Sequence, residues 1–340
     1  MGSNGNQYSY LQKVWVTAGI VALVVVVVLL LKATFNVLLL VLASVLIAVF
    51  FKGLSGLIQR KTKWKEGVCT TIAVVVTLLL LVLLFWLMGA KIQSQAAQLS
   101  ETLPKTIENA KAKLNESPIG KKIVERISSP NAGKKAQSLV QTFFTSTFGV
   151  LGDVYVVLFL GIFFTVSPKK YKDGLVKLVP NKGRAEAAAL LEKIADNLKK
   201  WLKGKLFAML IVFVLTATGL SIIGVPMWLV LALLAGLLNF IPNFGPLLAL
   251  IPAALVALLQ GPTTALWVIG LYLAVQVVES NFITPMVQQK LVSIAPAVII
   301  MAQLFIAPLT GGWGLVLATP LVLIIMVTVQ ELYIKKQDAA

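Results

Sequence analysis

An uncharged run of eighteen residues, Val14 to Leu31, is separated by a single lysine from a second, Ala33 to Phe51, and a third follows at Val68 to Ala90. At 1.5 Å per helical residue these reach about 27 to 35 Å, the thickness of a bilayer's hydrocarbon core. The five valines Val24 to Val28 favour strand in water. A lone strand in lipid leaves its backbone polar groups unpaired, so helix is the required form. A fourth apolar stretch covers about Thr142 to Val166 and a fifth Leu206 to Ile223. Of the 340 residues 58% are hydrophobic and 13% charged, and mean hydropathy is +0.91, which leaves too few polar groups to coat a water-soluble globule. The chain reads as an all-α polytopic membrane protein. Lys13 precedes the first run and no small-residue cleavage site follows it, so that run is expected to be a span and not a cleaved signal.

The chain has no histidine and one cysteine, Cys69. That removes histidine-based relays, Ser-His and Cys-His nucleophiles, His-ligated zinc and intrachain disulfides. Cys69 itself reads as a small buried or lipid-facing residue. An intramembrane aspartyl protease needs paired carboxylates, and Asp153 and Glu279 lack the flanking Gly-x-Gly-Asp context. No phosphate-binding glycine loop exists to carry ATP. No enzymatic activity, cofactor or bound metal is expected. Thirty Lys and Arg against thirteen Asp and Glu give +17. Most of the cations sit in two polar stretches between apolar runs, which suits anionic lipids and not nucleic acid.

Organisation follows from these runs. Residues 1–90 are expected to hold three spans. Residues 91–137 form an extracytoplasmic helical cap punctuated by Pro104, Pro118 and Pro130, and 138–166 form the fourth span. In 167–205, Leu190, Ile194, Leu198, Trp201 and Leu202 recur at helical spacing opposite Lys193, Lys199, Lys200 and Lys203. This predicts a basic amphipathic helix on the cytoplasmic membrane surface. Residues 206–340 form a transport core. The loops 52–67 and 167–205 carry five and eleven Lys and Arg, a higher density than the nine in 91–136, so they and the N-terminus are placed in the cytoplasm.

From Gly224 onward nine prolines chop the apolar sequence into short pieces. Met227 to Ile241 and Leu247 to Leu259 are each too short to span, and together they predict a re-entrant hairpin. Its tip is Ile241-Pro242-Asn243-Phe244-Gly245-Pro246, where two prolines cannot donate and a glycine permits tight turning. Broken helices offer free N–H and C=O groups, the arrangement from which secondary transporters build sites. The alternative is a proline kink in an inert packed helix. Beyond the hairpin, Thr263 to Phe282, Pro285 to Leu309 and Trp313 to Tyr333 are expected to cross in turn. That makes about eight crossings with the C-terminus cytoplasmic, unless Pro285 to Leu309 is a second re-entrant segment.

Several motifs stand in order over this half: WLKGKL from Trp201, Gly224-Val-Pro226, NFIPNFGP around the hairpin tip, Glu279-Ser-Asn281-Phe-Ile-Thr-Pro285, and GGWGLVLATPL from Gly311 to Leu321. Their order and spacing resemble the autoinducer-2 exporter (AI-2E) family of bacterial membrane proteins. The resemblance implies a multi-span permease of the inner membrane, efflux of a small polar solute, and homo-oligomeric assembly, pentameric in members of the family. Family members are assigned differing substrates, sodium and protons in antiport among them.

Candidate binding residues follow from the cost of charge in lipid. Glu279 is the only acidic residue between Asp196 and Glu331, with Gln276, Ser280 and Asn281 beside it and Pro285 just after. A carboxylate with amide and hydroxyl neighbours at a helix break can hold Na+, H+ or a polar solute, or instead anchor at headgroup level. Asp153, inside the fourth span, should face protein or water, unless the span is shifted to bring it to the outer headgroups. Asn239, Asn243 and Gln303 are ligands or interhelical ties. Pro242, Gly245, Pro246, Pro285, Gly311 and Gly312 are the expected hinge positions.

Overall fold

The computed structural model describes residues 10–83, 86, 152–288 and 295–338. The expected cap, most of the first half of the fourth span and Lys290 lie outside them. Among the described residues there is no strand.

Helix α1, Tyr10–Thr62, is continuous over 53 residues, about 80 Å. It therefore joins the two runs expected to be separate spans, Val14–Leu31 and Ala33–Phe51. Lys32 cannot divide them: lysine is a good helix former, and no proline or glycine lies between Gly19 and Gly53. The three-residue turn Lys63–Lys65, with Lys63 at φ 56°, leads to α2, Glu66–Leu83. Lys52 pairs with Glu66 at 2.6 Å, and the Ser55 and Thr70 hydroxyls meet at 3.0 Å, closing α1 and α2 into a hairpin around buried Cys69. Helix α3, Gly152–Val166, bends by 90° into α4, Pro168–Lys177, where Pro168 has no N–H to continue the helix.

Helix α5, Arg184–Ile223, runs unbroken for 40 residues. The segment expected to lie on the membrane surface is thus coaxial with the fifth span. Its apolar stripe faces protein and not lipid: Leu198, Trp201 and Leu202 are buried in a core shared with Leu39–Leu46 of α1 and Leu317–Val327 of the final helix. A stripe of period 3.6 does not reveal what covers it, and here other helices do. Gly224, at φ 78°, caps α5, with the Val225 N–H donating to the Leu220 carbonyl.

Two short helices follow, α6, Trp228–Leu238, and α7, Gly245–Gln260. At about 16 and 24 Å neither crosses a bilayer, as the hairpin reading requires. Ala249, Ala253 and Ala257 of α7 are almost fully buried and let it pack closely against α8, Pro262–Val278. Helix α8 passes through a π-turn, Glu279–Ile283, into a last turn, Thr284–Gln288. Helix α9, Pro296–Thr310, is 15 residues, about 22 Å, short for the crossing expected there. Gly311, at φ 65°, turns the chain into α10, Gly312–Val329, which ends in a second π-turn, Gln330–Ile334. Among the described residues five helices are long and apolar enough to cross, or six with α3 and α4 counted as one bent span. That is fewer than the eight expected.

Candidate translocation site

Helix α5 organises the polar interior. Trp201 meets Phe240 of the α6–α7 tip edge to face, ring centroids 5.7 Å apart. One turn further along the same face, Lys205 reaches Glu279, with Nζ 3.8 Å from Oε1. Both side chains are nearly buried, at 12% and 9% exposure. The fold therefore gives Glu279 a cation that the local sequence does not show. Lys205 is also the last charged residue of α5 before the apolar run Leu206–Ile223, so the pair sits at the rim of that run.

The break that presents Glu279 has a local cause. Proline lacks an N–H, and its ring collides with the carbonyl four residues back, here Asn281. The π-turn relaxes that clash, and the Thr284 N–H donates instead to the Glu279 carbonyl five residues back. Asn281 does not join Glu279. It is exposed, and its side-chain amide donates to the Val277 carbonyl at 2.9 Å, while the Ser280 hydroxyl donates to that of Gln276.

The tip is pinned from α9. Fully buried Gln303 accepts from the Asn243 side-chain amide at 3.3 Å and donates to the Pro242 carbonyl at 3.0 Å and the Leu315 carbonyl at 3.5 Å. Asn243 is thus engaged as an interhelical tie. It also carries the tip's left-handed backbone, φ 66°, a conformation asparagine tolerates. Gly245 serves a different need from the turning expected of it: a Cβ there would penetrate the Leu238 carbonyl oxygen and lie 2.7 Å from its carbon. Pro246 occupies the first turn of α7, where its missing N–H costs nothing. We predict that Gln303→Leu, which leaves Asn243 and two carbonyls without their partner, destabilises the protein by about 1 to 3 kcal/mol. An unchanged melting temperature in detergent would show that backbone packing alone holds the tip.

Two residues before Leu315, Trp313 donates its indole N–H to Asp153 Oδ2 at 2.7 Å. The start of α10 thereby links half-buried Asp153 through Gln303 to the tip. Gly314 allows this close α9–α10 approach, because a Cβ there would lie 2.9 Å from the Ile306 backbone.

Several buried polar atoms lack any hydrogen-bond partner among the described residues. Both side-chain atoms of Asn239 are in this state at 1% exposure, as are Thr216 Oγ1, Tyr272 OH, Gln276 Oε1 and Thr319 Oγ1. Each carries a desolvation cost of about 1 to 3 kcal/mol until something pairs with it. Asn239 precedes Phe240, whose ring packs on Trp201 of α5. The sequence does not single out Lys205, Trp313, Thr216, Tyr272 or Thr319, since each acquires its setting only through packing between helices.

Membrane-length helices, a folded-back hairpin and polar groups gathered between them define a multi-pass helical membrane protein. The family model described as AI-2E family transporter matches residues 19–334, nearly the whole chain, and the protein belongs to that family. It is similar to the "Putative transport protein YrrI" of Bacillus subtilis, 32% identical over a segment covering 42% of this chain and 40% of the relative. It is also similar to the "AI-2 transport protein TqsA" of Escherichia coli, 23% identical over 82% of each chain. The "Putative permease PerM" of Escherichia coli is 28% identical over 55% of this chain and 54% of its own length. The chain spans under half the length of the first relatives it matches, 40% and 49% of two Bacillus subtilis proteins.

Proposed function

We propose that this permease exports a small polar solute across the bacterial inner membrane, working as a homo-oligomer with both termini in the cytoplasm. The observation that carries the reading is Asn239, buried with both amide atoms unpartnered, one residue before the Phe240 ring that packs on Trp201, while Lys205, one turn along α5 from Trp201, pairs with Glu279. A solute bearing hydroxyl or carbonyl groups would satisfy that amide, and the pair offers it one donor and one acceptor without net charge. The relative TqsA is named for AI-2, which makes AI-2 the first solute to test.

One observation favours a second reading, sodium/proton antiport. Glu279 lies within ion-pair range of Lys205 but beyond hydrogen-bond length, so a proton or Na+ would compete with the lysine for the carboxylate. Flux from proteoliposomes decides. Export predicts saturable AI-2 efflux that Asn239→Leu lowers at least about tenfold, the effect of losing two oriented hydrogen bonds. Na+/H+ exchange without solute flux selects the antiporter, and no flux of either kind leaves a non-transporting scaffold.

A further inference from the structure

Away from the tip, α1 and α5 flank a half-open surface cavity of about 170 Å³ whose lining includes four cations, Lys52, Arg60, Lys199 and Lys203, and no carboxylate. Spacing explains the cluster. Lys52, Gly56 and Arg60 stand four apart on one face of α1, and Lys199 and Lys203 four apart on α5. Lys52 is neutralised by Glu66 at 2.6 Å. Arg60, Lys199 and Lys203 have no acidic partner among the described residues, although Lys200, next to Lys199, has Asp196 at 2.7 Å. Three uncompensated cations on one small cavity repel one another, and a multivalent oxyanion would relieve all three.

The cavity lies at a boundary. The apolar run of α1 ends at Phe51, just before Lys52, and that of α5 starts at Leu206, itself a lining residue. Leu57 is 60% exposed at the cavity and Leu202 is buried behind it. The surface there is therefore charged on one side and apolar on the other. The space is not filled by neighbouring side chains: no heavy atom lies within 4 Å of where a Cβ on Gly53 or Gly56 would sit.

We propose that this cavity binds the phosphate head group of an anionic phospholipid. Arg60, Lys199 and Lys203 would hold the phosphate oxygens, with the start of the acyl chains against Leu57 and Leu206. A soluble phosphate would use the same cations but gain nothing from the apolar wall, so the lipid is the occupant the surroundings favour. Guanidinium suits the fork of phosphate oxygens, and the two lysines add point charges from the facing helix.

The test is retention of phosphatidylglycerol by the full-length protein, extracted in mild detergent from phosphatidylcholine vesicles containing it and weighed by native mass spectrometry. Removing the three cations together, as Arg60→Gln/Lys199→Gln/Lys203→Gln, should lower retention on the order of a hundredfold, each cation contributing roughly a factor of five. Gly56→Leu leaves the charge intact and fills the cavity, and should also expel the lipid. Charge-matched Lys170→Gln/Lys177→Gln/Lys182→Gln, at exposed positions outside the cavity, should retain it. Full retention by the first two variants overturns the proposal. So does equal loss in the charge-matched variant, which would mean diffuse attraction to the surface. Displacement of the lipid by millimolar inorganic phosphate would reassign the cavity to a soluble anion.

Discussion

Lys205→Met is expected to destabilise the protein by about 3 to 5 kcal/mol, the cost of leaving a buried carboxylate without its counter-charge. Glu279→Gln should cost a similar amount by stranding the ammonium. The double variant Lys205→Met/Glu279→Gln should recover most of the loss, because neither charge then remains to be solvated. Denaturant unfolding in a fixed detergent measures all three, and additive losses in the double variant would show that the 3.8 Å approach carries little coupling. Function separates from stability in the same set. If the carboxylate holds a proton or Na+, it must do so differently in the two transport states, since a ligand shifts an equilibrium only through differential affinity. Flux by Glu279→Gln should then lose its dependence on pH or Na+. An unchanged curve would make the pair purely structural and move attention to Asp153.

The second large effect is expected at the hairpin tip. Gly245→Ala should destabilise by about 3 kcal/mol, and Gly245→Val by more, because the added Cβ has no place beside the Leu238 carbonyl and Asn239 Cα, from which it would lie 3.1 Å. The displaced strand of tip includes Asn239 and Phe240, so transport should fail at temperatures where the helices remain folded. Circular dichroism and proteoliposome flux on the same preparation check this. Wild-type flux in Gly245→Ala would mean that the tip yields without consequence. Gly311→Ala offers a contrast: it would suffer from a backbone at φ 65° and not from crowding, as no atom lies near its would-be Cβ.

The hairpin was legible in the sequence because its cause is local: Pro242 and Pro246 bracket a turn, and the flanking runs are too short to cross. The all-helical membrane architecture followed from the apolar runs for the same reason. Two adjacent runs divided only by Lys32 look like two spans, yet nothing in that lysine turns a helix, and α1 continues. The stripe from Leu190 to Leu202 announced a buried face but not what buries it. In the site, Pro285 signalled the first break, whereas the π-turn at Gln330–Ile334 contains no proline and gave no sign. Glu279 was identifiable from the expense of its charge. Its partner was not, because Lys205 belongs to a different helix and sits among other lysines that differ from it only in what they face. The same holds for Asn243, whose role depends on Gln303, far off in the chain.

The unbroken α5 has a mechanical consequence. Lys193 near its start pairs with Glu331 at 2.5 Å in the second π-turn, and Lys205 pairs with Glu279 in the first. The two lysines are twelve residues apart, about 18 Å along one rigid rod. Tilting that rod by about 10° about its Lys205 end would carry Lys193 through about 3 Å, enough to part it from Glu331. The π-turns of α8 and α10 thus both answer to one helix, the first through a nearly buried pair and the second through a partly exposed one that a tilt of α5 could break at little cost.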